Sequence, residues 1–121
     1  MAIRILVVDD NLINLKLVCD LLEMEGYQID RAMNAEEALS EIAKHLPDLI
    51  LMDIELPGTN GLVLTRMLKI AVMTQNIPIV ALTAFAMKGD DQKAFDAGVQ
   101  GYITKPIDTR KLPEQIAGFL N

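Results

Sequence analysis

The chain is poor in aromatic residues: they make up 4% of its 121 residues, and tryptophan is absent. With 51% hydrophobic residues, this predicts a core built from aliphatic side chains. Basic residues are also few, 11 against 17 acidic ones, for a formal net charge of −6 and a pI of about 4.6. DNA-binding domains need a basic face, so nucleic acid is excluded as a direct partner. One cysteine, Cys19, rules out an internal disulfide and fits a reducing compartment. No apolar run approaches the roughly 18 residues of a membrane span. Arg4 interrupts the first apolar run and an acid pair follows at once, which is unlike a signal peptide. No membrane insertion is therefore expected, and the expected location is cytoplasmic. Neither a GxGxxG stretch nor a P-loop follows the first predicted strand, so a nucleotide-binding Rossmann unit is excluded. No repeat, low-complexity segment or linker divides the chain, and one domain over residues 1–121 is expected, whether alone or within a longer protein.

What is present is an alternation of short apolar runs and amphipathic stretches. Residues 3–8 read as a buried strand. Leu12 to Leu22 is too long and too apolar for a strand and reads as a helix, stopped by Gly26. Residues 27–32 form a second strand. Asn34 and Glu37 have capping-box spacing at the head of a second helix, which runs to about His45 with Ala35, Ala38, Leu39 and Ile42 on one face. His45 reads as a solvated residue favoured by the helix dipole. Asp48 to Met52 is a third strand, and the LPGTNG loop after it is turn chemistry. Leu62 to Val72 is a third helix, Pro78 opens a fourth strand, and residues 84–89 are ambiguous. Asp90 caps a helix ending at Gly98, Gly101 to Thr104 is a fifth strand, and Asp108 caps the last helix. Five strand–helix alternations predict a doubly wound parallel α/β sheet covered on both faces.

Polar residues end the apolar runs. Asp9 and Asp10 end IRILVV, Asp53 ends LILM, Thr83 ends IPIVAL, and Lys105 follows GYIT. In such a sheet, ligands bind at the carboxyl ends of strands near the point where strand order reverses. Three carboxylates, a hydroxyl and an ammonium would converge there. That set suits Mg²⁺ and a phosphoryl group. Asp53 is the candidate nucleophile, because a carboxylate can attack phosphorus and hold it as an acyl phosphate. Asp9 and Asp10 are the candidate metal acids. Lys105 and Thr83 would meet phosphoryl oxygens, since positioning and charge neutralisation do most of the work in phosphoryl transfer. Taken singly, each residue has a plainer role as a cap, a turn former or a solvated charge. Their joint placement at strand ends carries the functional reading.

The segments VVDDN, LILMDIELPGTNG, PIVALTAFAMKGD and GYITKPI resemble the receiver domain of two-component response regulators over nearly the whole chain. The DDNLIN and TAFAMKGD stretches are most similar to stand-alone cell-cycle regulators and to receivers fused to hybrid histidine kinases. The resemblance implies a flavodoxin-like fold of five strands in the order 2-1-3-4-5 with five helices. It implies Asp53 as phosphoacceptor, and Mg²⁺ held by Asp10, by Asp9 through water, by Asp53 and by the Glu55 carbonyl. It assigns Thr83 and Lys105 to phosphoryl oxygens, a cis Lys105–Pro106 peptide, and a switch in which Thr83 moves toward phosphate while Tyr102 turns inward. Tyr102 has a plainer reading as a half-buried strand aromatic. The implied donor is a histidine kinase or histidine phosphotransfer protein, the output a downstream protein target, and the oligomeric state a monomer or weak dimer. Ile13, Asn14 and Leu17, with Pro106, are the expected donor-docking residues; deep burial is the alternative for the apolar first helix. Glu55 and Phe85 are expected to tune phosphoryl lifetime, Ala84 leaves room for phosphoryl access, and residues 84–89 are expected to reshape the face beside Thr83.

Two rival functions fit less well. A phospho-aspartate phosphatase usually separates its first-strand acids by one residue, whereas Asp9 and Asp10 are adjacent, and 121 residues leave no lid. An adaptor that is never phosphorylated has no need of an intact set of Asp9, Asp10, Asp53, Thr83 and Lys105. The expected chemistry is thus the chain's own Mg²⁺-dependent phosphorylation and dephosphorylation, with no external substrate turned over.

Overall fold

The computed structural model describes residues 2–55, 61–83 and 90–120, apart from the side chains of residues 90–93. The strands are β1 (Arg4–Val8), β2 (Gln28–Ala32), β3 (Leu49–Asp53), β4 (Ile79–Thr83) and β5 (Gly101–Thr104). The helices are α1 (Leu12–Met24), α2 (Ala35–Lys44), α3 (Gly61–Ile70), α4 (Asp90–Ala97) and α5 (Leu112–Leu120). All strand pairs are parallel, in the order β2-β1-β3-β4-β5, as the resemblance implied.

Side-chain alternation along the strands sorts the core into two layers. Ile5, Val7, Leu51 and Leu82 face α1 and α5, where Val18, Leu22, Leu112 and Ile116 meet them. Leu6, Val8, Ile50 and Met52 face α2, α3 and α4, against Ala38, Leu64, Leu68 and Ala94. Every residue of β3 and β4 is buried, which is why these strands read as continuous apolar runs rather than alternating ones. Each fully buried aliphatic side chain contributes about 1.5–3 kcal/mol.

Local signals explain most boundaries. Asn11 caps α1 by accepting from the Ile13 and Asn14 amides, and Gly26 follows the helix at φ +93°. Asn34 Oδ1 accepts from the Glu37 amide at 2.8 Å. The return bond of the predicted capping box goes elsewhere: Glu37 Oε1 accepts from the Met33 amide at 2.7 Å rather than from Asn34. Leu39 is exposed, not part of the buried α2 stripe of Ala35, Ala38 and Ile42, because it sits at the stripe's edge. The third helix ends at Ile70, two residues before the predicted Val72. Its last carbonyls are captured: Thr74 Oγ1 donates to the Leu68 carbonyl at 2.6 Å. Lys69 Nζ spans the following turn to the Ile77 carbonyl at 2.7 Å. The third strand runs one residue further than predicted and includes Asp53. Asp108 opens the turn leading into α5, its carboxylate accepting from the Arg110 and Lys111 amides. Of the predicted LPGTNG loop, residues 56–60 lie outside the described residues, as do the ambiguous segment 84–89 and the capping side chain of Asp90, while Gly61 opens α3 rather than ending the loop.

Candidate functional site

The order β2-β1-β3 places the reversal of chain progression between β1 and β3. Val8 pairs with Met52, so the residues that follow, Asp9 just past β1 and Asp53 at the end of β3, stand side by side. The backbone of Asp9 is pinned by its amide, which donates to the Ala32 carbonyl at 3.0 Å. Its Oδ1 accepts from the Asn11 amide at 2.9 Å, tying the carboxylate to the start of α1. Asn11, directly before the apolar helical run of α1, carries an N-cap signal that is visible in the sequence.

Asp53 is 2% exposed and accepts at both oxygens. Oδ1 takes the Glu55 amide at 2.8 Å and Oδ2 takes Lys105 Nζ at 3.0 Å. Lys105 leaves the end of β5 and reaches past β4 to do this. Its amide donates to the Thr83 carbonyl at 2.8 Å, which locks the start of its reach, and the Lys105–Pro106 peptide is cis, as expected. Thr83 is buried at the end of β4. Glu55 has an exposed side chain. Phe85 and Ala84 fall outside the described residues.

Gly61 makes the close fit beneath Asp53 possible. A Cβ there would run into the Asp53 carbonyl oxygen and stand 2.6 Å from Ile54 Cα, so only glycine lets α3 begin against the end of β3.

Electrically the crevice is unbalanced. Carboxylate oxygens of Asp9, Asp10 and Asp53 lie within 4.8 Å of one another. Lys105 is the cation that contacts Asp9 and Asp53, at 3.2 and 3.0 Å. Asp9 Oδ2 is fully buried and finds no hydrogen-bond partner among the described residues. The Lys105 ammonium stands 3.2 Å from it as an ion pair. Burial pushes the Asp9 carboxyl above its ordinary value of 3.8; the Asn11 amide and the Lys105 charge oppose this, and Asp53 adds to it. Burial pulls the Lys105 ammonium down, but its hydrogen bond to Asp53 and the charges of Asp53 and Asp9 outweigh that and leave it raised. Clustered hard oxygens, one of them buried and without a hydrogen bond from the described residues, fit a small divalent cation.

The expected docking residues follow two different strands: Ile13, Asn14 and Leu17 lie on α1 after β1, and Pro106 lies after β5. Ile13 is 79% exposed and Leu17 37%, with Leu12 at 65% beside them, so deep burial does not account for this apolar face of α1. Asn14 is half-buried and Pro106 exposed. Tyr102 points outward from β5, edge-on to Phe95 of α4, a contact the sequence did not announce. A shallow concavity between β2 and α2, lined by Arg31, Glu37, Ser40, Glu41 and Lys44, contains none of these groups. Its two cations are engaged by Glu23 and Glu41.

This fold, with an acidic crevice and a crossing lysine at its strand ends, defines a phospho-accepting signalling domain. The family model of the response regulator receiver domain matches residues 5–117, and the chain belongs to that family, the receivers of two-component signalling. The polar-differentiation response regulator DivK of Brucella anthropi is 45% identical over 116 residues, covering 96% of this chain and 94% of its own. The CheY-like receiver domain protein of Methanospirillum hungatei superposes with a TM-score of 0.90 at 32% identity, over 99% of this chain and 94% of that one. The NtrX receiver domain of Brucella abortus does so with a TM-score of 0.88 at 30% identity, over 96% and 97%. No described helix is long and apolar enough to cross a membrane.

Proposed function

We propose that residues 1–121 act as one receiver domain whose phosphoacceptor is Asp53. The observation that carries this reading is the convergence on buried Asp53 of Lys105 and of the Asp9 carboxylate, whose buried Oδ2 is ion-paired with Lys105 but accepts no hydrogen bond from the described residues. An Asp53 oxygen attacks phosphorus. The new P–O bond forms as the P–N bond of a phosphohistidine donor breaks, and the imidazole leaves carrying a proton. Water reverses the state by hydrolysing the acyl phosphate. Asp9, Asp10, Asp53 and the Glu55 carbonyl are the groups that would hold Mg²⁺. When bound, that ion offsets the repulsion between the incoming phosphoryl oxygens and the carboxylates. Lys105 transfers its ammonium from Asp53 to a phosphoryl oxygen, and the Thr83 hydroxyl donates to another.

The donor is a histidine kinase or histidine phosphotransfer protein that seats on Ile13, Asn14, Leu17 and Pro106. A partner helix with an apolar face would cover the exposed side chains of α1. Replacing Leu17 by Asp is expected to slow transfer from the protein donor about tenfold or more and leave phosphorylation by acetyl phosphate unchanged; equal slowing of both would refute docking. Phosphorylation draws Thr83 toward the phosphate and Tyr102 inward, changing affinity for a downstream protein. The protein acts in the cytoplasm as a monomer or weak dimer, and turns over nothing but its own phosphoryl group.

The test is intact mass after incubation with acetyl phosphate and Mg²⁺, beside a chelated sample and Asp53→Asn. A labile phosphoryl adduct is expected only with Mg²⁺ and Asp53 both present. An adduct of equal yield in Asp53→Asn would overturn the assignment.

A further inference from the structure

Tyr102 and Phe95 form an edge-to-face pair, ring centroids 6.1 Å apart and planes at 74°. It is the only ring pair among the described residues. Both rings sit at the surface, Phe95 43% and Tyr102 37% exposed, so neither is held by core packing. The surroundings are small: Ala81 is the register partner of Tyr102 on β4, and the buried α4 residues beside Phe95 include Ala94 and Ala97. Among the described residues, the Tyr102 ring thus has Phe95 as its aromatic neighbour and Ala81 as its small register partner.

We propose that Phe95 is a positioning residue, a latch that holds Tyr102 in its outward state and suppresses switching without phosphate. The proposal rests on the reading of Tyr102 as the switch residue. An interaction made in only one of two states biases their equilibrium by its full worth. Turning inward carries the Tyr102 ring away from Phe95 and forfeits the contact. An edge-to-face pair is worth a factor of about two to ten in a population ratio. A near-complete switch requires a bias of about 10⁴. The latch is therefore too weak to block a phosphorylated receiver, and strong enough to set the background of an unphosphorylated one. It also couples α4 to β5, since displacing Phe95 releases Tyr102.

The test uses beryllofluoride, a phosphoryl mimic, titrated with Mg²⁺ fixed and its bound fraction read by ¹⁹F NMR. This readout needs no tyrosine signal. Phe95→Ala is expected to lower the midpoint about two- to tenfold, because the inward state it selects is no longer opposed. Phe95→Leu, which keeps bulk without a ring, is expected to do the same, and Phe95→Tyr to restore the wild-type midpoint. In a Tyr102→Ala background, Phe95→Ala is expected to shift nothing. An unchanged midpoint in Phe95→Ala, or an equal shift with Tyr102 absent, overturns the latch while the receiver reading stands. Failure of beryllofluoride to bind the wild type overturns the Asp53 reading and the latch with it.

Discussion

The two ends of the β1–β3 strand pair carry similar residues in opposite condition. At the amino end, Arg4 donates to both oxygens of Asp30, at 3.0 and 2.9 Å, and to Gln28 Oε1 at 2.8 Å. Its amide donates to Asp48 Oδ2 at 2.8 Å. Charges there are partly solvated and each has a partner. At the carboxyl end, the carboxylates of Asp9, Asp10 and Asp53 crowd together, and a fully buried oxygen of Asp9 goes without a hydrogen bond from the described residues. One end uses polar groups to join strands. The other keeps an excess of negative charge that folding alone would not retain, since a buried, poorly partnered carboxylate costs stability. The difference supports the proposed site at the end whose polar groups are left incomplete.

The comparison can be broken most severely at Gly61. Gly61→Ala forces a methyl against the Asp53 backbone, and overpacking of this kind costs about 1–3 kcal/mol. It is expected to cut Asp53 phosphorylation by acetyl phosphate at least tenfold as well, measured by adduct yield against time. A stable variant with wild-type yield would show that the close approach is dispensable.

Asp9→Asn should separate stability from function. Removing a buried, under-partnered charge is expected to raise the stability of the metal-free protein at neutral pH by about 1 kcal/mol. The same change is expected to weaken Mg²⁺ binding at least tenfold. Urea unfolding with and without Mg²⁺ reads both effects; a metal-free variant less stable than wild type would mean that the crevice is not frustrated.

Cys19 sharpens the contrast as a fully buried ionisable group. Burial pushes its thiol from an ordinary 9.0 up to about 11. Between those values the folded protein keeps a proton that the unfolded chain has lost, so stability falls as pH rises from about 9 to about 11. Cys19→Ala is expected to flatten that part of the stability–pH curve, whatever its effect on packing. Persistence of the same slope in the variant would assign it to another group.

The smallest effect belongs to the satisfied end. Arg4→Met is expected to cost about 1 kcal/mol or less of stability, because its partners can turn to water. The rate of Asp53 phosphorylation should be unaltered. A slowed rate would mean that the two ends communicate, and the contrast between them would lose its meaning.

Much of this was legible in the residues because burial on both faces leaves an unmistakable pattern. β3 and β4 are runs of apolar residues, and the first polar side chains beyond or at their ends, Asp53 and Thr83, are those of the crevice. Asn34 and Gly26 gave their helix ends through local chemistry that tertiary context did not override. What was illegible depended on contacts between elements. Leu39 belongs to the apolar set of α2 by spacing, yet no neighbouring element covers it fully. The end of α3 is decided by Thr74 and Lys69 reaching back or across to carbonyls, which no periodicity records. The contact of Phe95 with Tyr102 depends on how α4 lies against β5, and nothing in the sequence of either element announces it.

The most direct measurement locates the phosphoryl group itself. After phosphorylation in Mg²⁺, borohydride reduction converts an aspartyl phosphate to homoserine, and peptide mass mapping then reads its position. Homoserine at position 53 alone is the predicted result. Homoserine at Asp9 or Asp10, or a phosphoryl group that survives reduction on a hydroxyl, would contradict the account.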